Sequence, residues 1–150
     1  MKKIIAILFV LPFFGLAQNS SGEIHGDFNL NLQTYNEDKS IGALAADEVL
    51  LNNAYFNLLY TKDRFTVGVR YESYLNALKD FDPRYNGNGI PYRFAQYNND
   101  GLEITAGSFY EQFGSGLILR SYEEKTLGID NAMDGIRLRY SPISGVYLKT

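Results

Sequence analysis

The sequence predicts an all-β fold: an antiparallel up-and-down transmembrane β-barrel, with these 150 residues as the N-terminal fragment of a larger barrel. Residues 23–33 are apolar or small at every even position and polar at every odd one. In a β-strand this pattern makes one apolar and one polar face. A secretory signal precedes this strand, and long and short connections alternate after it. An exported chain of such strands is a soluble sandwich or a membrane barrel.

Residues 1–17 have the three parts of a signal peptide. Lys2 and Lys3 are basic, residues 4–11 are apolar, and residues 15–17 form a small-x-small cleavage site. The apolar stretch is shorter than the ~20 residues of a membrane-spanning helix, and Pro12 interrupts it. We therefore expect a signal peptide at 1–17 and the barrel domain at 18–150, in the cell outer membrane.

The composition excludes several classes of function. Removing residues 1–17 changes the formal charge from −3 to −5, which argues against a nucleic-acid partner. The chain has no cysteine, so disulfides, thiolate metal sites and thiolate catalysis are excluded. The 12 tyrosines and 10 phenylalanines, with no tryptophan, suit either a membrane interface or a sugar-binding surface.

Alternating segments predict further strands after residues 23–33. They lie at 53–60, 65–74, 90–97, 102–110 and 136–140, and another begins at 146–150. Residues 41–51 are compatible with one or two helical turns inside a loop, and 117–120 with a short strand.

The connections between these strands alternate strictly in length. The long ones are 36–52, 75–89 and 111–134, and the short ones are 61–64, 98–101 and 141–145. Outer-membrane barrels have long external loops and short periplasmic turns, whereas a soluble sandwich has no reason to keep such an order. The alternation holds only if 111–134 is one connection.

Five segments resemble a Bacteroidetes-type family of outer-membrane β-barrels with no assigned function. They are residues 24–28 (IHGDF), 107–117 (GSFYEQFGSGL), 119–123 (LRSYE), 127–132 (LGIDNA) and 134–135 (DG). The resemblance implies an outer-membrane barrel and no reaction. Members of that family are considerably longer. Bacterial barrels start at eight strands and usually end on an aromatic residue, whereas six spans and Thr150 are found here.

A looser similarity links residues 111–116 (EQFGSG) to general porins. In porins the connection between the fifth and sixth strands folds into the lumen and narrows it, and carries a similar acidic, aromatic and glycine-rich turn. This is an analogy at the level of the fold. It predicts that the connection after the fifth strand narrows the barrel.

The residues that could serve in catalysis or metal binding are each also explained as ordinary solvated or loop residues. His25 lies between Glu23 and Asp27 on one face, which is compatible with a loose metal site or a solvated histidine. Oxygen ligands for Ca²⁺ occur at 80–88 and 130–135, but their spacing does not fit an EF-hand. Residues 114–116 lack the Lys-Ser/Thr pair of a phosphate loop. We predict no catalytic residue, no metal and no cofactor, and hence no enzyme.

Charged side chains on the polar face are the predicted functional residues. By alternation that face holds Asp27, Arg70, Glu72, Arg93, Glu103, Arg137 and Arg139. They either line a water-filled channel or form ion pairs that plug a narrow barrel. The residues predicted for the lumen and its constriction are Glu103, Glu111, Arg120, Arg137 and Arg139.

Aromatic side chains near the connections predict two girdles at the membrane surfaces. Tyr60, Phe65, Tyr97 and Tyr140 flank the short turns. The outer rim is predicted to carry Tyr71, Tyr74 and Tyr110.

The predicted function is a porin-like passive channel or a structural envelope platform. Its partners would be outer-membrane lipid and either small polar solutes or other envelope proteins. The alternative is a secreted β-sandwich that binds glycans through its tyrosine-rich face.

Overall fold

A single antiparallel sheet dominates the computed structural model, which describes residues 22–44, 46–79 and 81–150. The sheet has seven strands in the order β1-β2-β3-β4-β5-β8-β9, and β6 and β7 form a separate two-stranded sheet. The strands are β1 (Glu23–Gln33), β2 (Leu51–Lys62), β3 (Phe65–Tyr74), β4 (Gly87–Asn99), β5 (Leu102–Phe109), β6 (Glu123–Glu124), β7 (Ile129–Asp130), β8 (Met133–Tyr140) and β9 (Leu148–Lys149). The all-β prediction is confirmed. Within the described residues the main sheet is open, with β1 and β9 at its edges.

The connections confirm the predicted alternation of length. Residues 63–64, 100–101 and 141–147 join strands at one end of the sheet, and residues 34–50, 75–86 and 110–132 at the other. The last of these counts as one connection because β6 and β7 lie outside the main sheet. Asp100 and Gly101 have φ values of 43° and 81°, as a tight hairpin turn requires. The predicted signal peptide lies outside the described residues.

The helical turns predicted within 41–51 are wrong for the part of that stretch that is described. An antiparallel bridge joins Asp38 to Ala43 and closes a turn there. Asp38 also accepts hydrogen bonds from the backbone and hydroxyl of Ser40, which favour a turn over a helix.

A bulge in β4 changes the face on which its residues lie. Arg70 of β3 is opposite Tyr92, whereas Glu72 is opposite Gly89, so β4 holds one extra residue around Pro91. Proline has no N–H to give to the ladder and is tolerated at a bulge. Tyr92 therefore shares the face of Arg70. The predicted placement of Arg93 on the polar face is wrong: it lies at the middle of β4 on the apolar face, where it pairs with Asp134.

Burial in the sheet is the reverse of that in a soluble protein. Asn53, Arg70, Thr105 and Arg137 are buried, and across the described residues more polar than hydrophobic side chains are buried. Large apolar side chains on the other face are exposed, and they include Ile24, Phe28, Leu30, Leu32, Phe56, Phe65, Val67 and Ile136. No second layer of the described residues covers this apolar face. The same part of the chain holds no helix of the length and hydrophobicity needed to cross a membrane.

The aromatic residues predicted near the short turns lie on the apolar face. The rings of Phe65 and Tyr97 are 4.9 Å apart, and the register places Tyr60 and Tyr140 on the same face and at the same end. Two residues predicted for the outer rim lie elsewhere. Tyr74 is buried on the polar face, where it donates to Glu72, and Tyr110 donates to Asp130.

Candidate functional site

The connection 110–132, which we call the inward loop, folds back over the polar face of the sheet. Glu111 contacts Lys149 of β9, and Glu123 contacts Arg70 of β3. Since β3 and β9 lie on opposite sides of β5 in the sheet order, the loop crosses much of the face.

The first half of the inward loop is a hairpin-like turn. The Ser121 N–H donates to the Glu111 carbonyl at 2.8 Å, and the Phe113 N–H donates to the Leu119 carbonyl at 3.0 Å. Gly114 and Gly116, with φ values of 56° and 87°, make the turn at its tip. Its ends are therefore adjacent, and its glycines are required by the backbone conformation.

Five charged side chains form one network, which we call the Glu111 cluster: Glu103, Glu111, Arg137, Arg139 and Lys149. Glu111 accepts hydrogen bonds from Lys149 at 2.6 Å and from Arg139 at 2.9 Å. Glu103 accepts from Arg137 at 2.8 Å and from Arg139 at 3.2 Å. The network fastens the start of the inward loop to β5, β8 and β9.

Glu111 is held in its charged form. Its side chain is only 6% exposed, and burial by itself opposes ionisation. Hydrogen bonds from Lys149, the Gln112 N–H and Arg139 outweigh the burial and lower its pKa to about 2. The carboxylate is therefore a fixed negative charge among three cations.

A second network, which we call the Arg70 cluster, comprises Arg70, Glu72, Glu123 and Asp130. The Arg70 side chain is 6% exposed, and its nitrogens lie 2.6 Å from Glu72 Oε1 and 2.6 Å from Glu123 Oε1. It also pairs with Asp130 and stacks 5.0 Å from the ring of Tyr92. One guanidinium thus ties the second half of the loop to β3.

The pKa of Glu123 is shifted in the opposite direction to the pKa of Glu111. Burial raises its pKa above 4.5, and the charges of Arg70 and Lys125 offset this only in part. The link from Glu123 to Arg70 is therefore more sensitive to acid than the link from Glu111 to Lys149.

The net charges of the two clusters have opposite signs. The Glu111 cluster has three cations and two carboxylates, and the Arg70 cluster has one cation and three carboxylates. Fixed charges of both signs on one face of a sheet create an electric field along that face. Such a site can orient and select polar solutes without any bond-making chemistry.

Four of the five predicted site residues meet in the Glu111 cluster: Glu103, Glu111, Arg137 and Arg139. Arg120 is not among them. It pairs with Gln112 through the backbone, and its guanidinium lies 4.8 Å from the ring of Tyr122.

The sequence prediction missed Lys149, Glu123 and Asp130. Lys149 lies on the polar face of β9, which has only two residues. The alternation of apolar and polar residues in that strand is the signal that could have identified it. Glu123 and Asp130 lie in a loop, where alternation gives no information.

The carboxylates of the Arg70 cluster resemble a metal site in composition. The oxygens of Glu72, Glu123 and Asp130 lie within 4.8 Å of one another. Arg70 contacts all three, and the hydroxyl groups of Tyr74 and Tyr110 donate to Glu72 and Asp130. The group is therefore explained as an ion-pair network.

The other metal candidates from the sequence do not converge in the described part of the chain. His25 lies 3.4 Å from Glu23, and both side chains are exposed. Asp82 accepts hydrogen bonds from Arg84, and Asn86 accepts one from the Ala77 N–H. Asp80 lies outside the described residues.

Comparison with known proteins gives a family without a described activity. No curated protein and no solved structure matches the chain. The resemblance to outer-membrane barrels therefore stays a prediction. The sequence profile described as "Family of unknown function (DUF6029)" matches residues 1–150, and the chain belongs to that family.

Proposed function

We propose that the protein is an outer-membrane β-barrel whose polar face lines the interior and which serves as a passive channel for small polar solutes. The observation that carries this proposal is the reversed burial. Phe28, Phe65 and Ile136 are 64%, 60% and 77% exposed, while Arg70 and Arg137 are buried. In water such an apolar face favours association or aggregation, whereas in lipid it is the stable arrangement.

Strand length and connections support the same proposal. β1, β2 and β3 have 11, 12 and 10 residues, and a tilted strand needs about 9–11 to cross a bilayer. The short connections and the aromatic residues beside them then belong to the periplasmic surface. On the apolar face, Arg93 at the middle of β4 and Asp134 at the start of β8 pair with each other, so neither charge is left unpaired there.

Membrane integration is tested by washing isolated membranes with alkaline carbonate. A barrel stays in the membrane fraction. Release into the supernatant would contradict the proposal and favour the secreted β-sandwich that binds glycans. Such a sandwich needs a second sheet over Phe28, Phe56 and Ile136, and none of the described residues supplies one.

Conduction is tested in planar bilayers with the full-length chain. The Ser121 N–H donates to the Glu111 carbonyl, so these two residues are neighbours at the base of the hairpin-like turn. Residues 112–120 can therefore be replaced by two glycines without moving Glu111 and Ser121 apart. If the inward loop narrows a channel, this deletion raises the single-channel conductance.

Ion selectivity is tested with the double variant R137Q/R139Q. It leaves Glu103 and Glu111 without two of their cations, so the reversal potential in a salt gradient should shift towards cation selectivity. The matched control is R120Q, which removes an arginine outside both clusters. This variant should shift the reversal potential less than R137Q/R139Q does. Absence of conductance in the wild type would contradict the channel and favour a structural platform. In that case the ion pairs on the polar face would close the interior of the barrel.

A further inference from the structure

We propose that the polar face also carries a binding groove for uncharged oligosaccharides, separate from the two charged clusters. The groove, which we call the amide groove, has a floor formed by Asn29, Asn31, Gln33, Asn53 and Tyr55. The inference rests on the proposed barrel, because the groove lies on the face assigned to the interior.

The strand register brings the floor together. Asn31 of β1 is opposite Asn53 of β2, and Asn29 is opposite Tyr55, so all four side chains share one face. Gln33 lies on the same face, and its amide donates to the Asn31 Oδ1 at 3.3 Å. Leu30 and Leu32, which lie between these β1 residues, are on the apolar face.

The two walls of the groove are mainly apolar. Leu78 and Phe81 come from the connection 75–86, and Leu127 comes from the inward loop. The walls meet where the Phe81 ring packs on Gly128, since a Cβ at that glycine would lie 2.8 Å from the ring. The groove is open to solvent and has a volume of about 700 Å³, which is large enough for two or three sugar rings.

This pairing of amide floor and apolar walls suits a sugar. Each carboxamide offers two donors and an acceptor, as hydroxyl groups require, and apolar side chains contact the C–H faces of the rings. The charged groups at the groove are already engaged. Asp27 accepts from Asn57 at 2.8 Å, and Lys125 lies 5.0 Å from the ring of Tyr55. Lys79 donates to the Leu44 carbonyl at 3.2 Å. Since these contacts occupy the charged groups, the polar groups left for a ligand are the neutral amides of the floor, which suit an uncharged sugar.

The test is calorimetric titration of the full chain in detergent with maltotriose, and separately with the anionic trimer of galacturonic acid. The variant N29L/N31L replaces two exposed amides with apolar groups of similar size. We expect it to weaken maltotriose binding at least about tenfold, the effect of losing one or two hydrogen bonds. The control is N98L, the same change on the polar face of β4, which should bind like the wild type.

Three results would overturn the inference: no maltotriose binding by the wild type, equal weakening in N98L, or tighter binding of the anionic trimer. Calorimetry does not depend on conduction, so the two proposals fail separately. Binding without conductance rejects the channel and keeps the groove, and conductance without binding rejects the groove alone. Unchanged electrophoretic mobility of the folded form shows that N29L/N31L still folds.

Discussion

At the scale of single residues, the protein places its strongest interactions where a soluble protein has its apolar core. Glu111 is buried and contacts Lys149 and Arg139, which belong to different strands. A buried charge is tolerated only when it is paired, and removal of one partner leaves the others uncompensated. Individual charges on this face should therefore matter as much as core residues do elsewhere.

Replacement of Glu111 by glutamine should destabilise the protein. The change keeps the shape but removes the charge that balances Lys149 and Arg139, so we expect a loss of roughly 3 kcal/mol in the free energy of unfolding. Urea unfolding from lipid vesicles measures it. The control is E37Q, which removes an exposed carboxylate 3.9 Å from Lys39 and should cost less than about 0.5 kcal/mol. Equal effects of the two variants would contradict the role of Glu111.

The pH dependence of stability should carry the signature of Glu111. Its folded-state pKa of about 2 lies below the ordinary value of 4.5, so the stabilisation is fully present above pH 4.5 and is lost as the pH falls towards 2. Glu123, whose pKa is raised, has the opposite sign and takes up its proton above pH 4.5. Between pH 6 and pH 2, the free energy of unfolding should fall further in the wild type than in E111Q. An identical profile in E111Q would contradict the assignment.

At the scale of elements, β5 depends on an unusual backbone at Gly107. Its φ is 105°, and a Cβ there would clash with the carbonyl oxygen of Arg93 on β4. We expect G107A to cost about 1–3 kcal/mol from backbone strain alone, measured as a lower urea midpoint. Gly135 is directly opposite on β8, and a Cβ there meets nothing within 4 Å, so G135A is the matched control. Similar midpoints for the two variants would contradict this explanation.

The regular strands were predictable from the sequence, and the irregular segments were not. β1 and β3 have the predicted bounds, because alternation over ten or more residues specifies both faces. In β4 the bulge at Pro91 interrupts the alternation, and the aromatic Tyr92 looks apolar although it stacks on Arg70. The partners of the inward loop were not predictable, since Arg70 and Asp130 are 60 residues apart and no local pattern links them.

At the scale of the whole molecule, two observations support the same arrangement. The sheet exposes its apolar face, and the inward loop covers the polar face from β3 to β9. Alternation on neighbouring strands predicted that Glu103, Arg137 and Arg139 share a face, and the register confirms it. The amide groove was not predicted, because its walls come from two loops that meet only in the folded chain.

The most direct test is a nitroxide scan of residues 28–33 in lipid vesicles, which is practical because the chain contains no native cysteine. Single cysteines are spin-labelled, and their collisions with oxygen and with a water-soluble nickel complex are measured. We predict that labels at 28, 30 and 32 collide mainly with oxygen dissolved in lipid, and that labels at 29, 31 and 33 collide mainly with nickel. Even positions protected from both reagents would instead show an apolar face covered by protein, which would contradict the barrel.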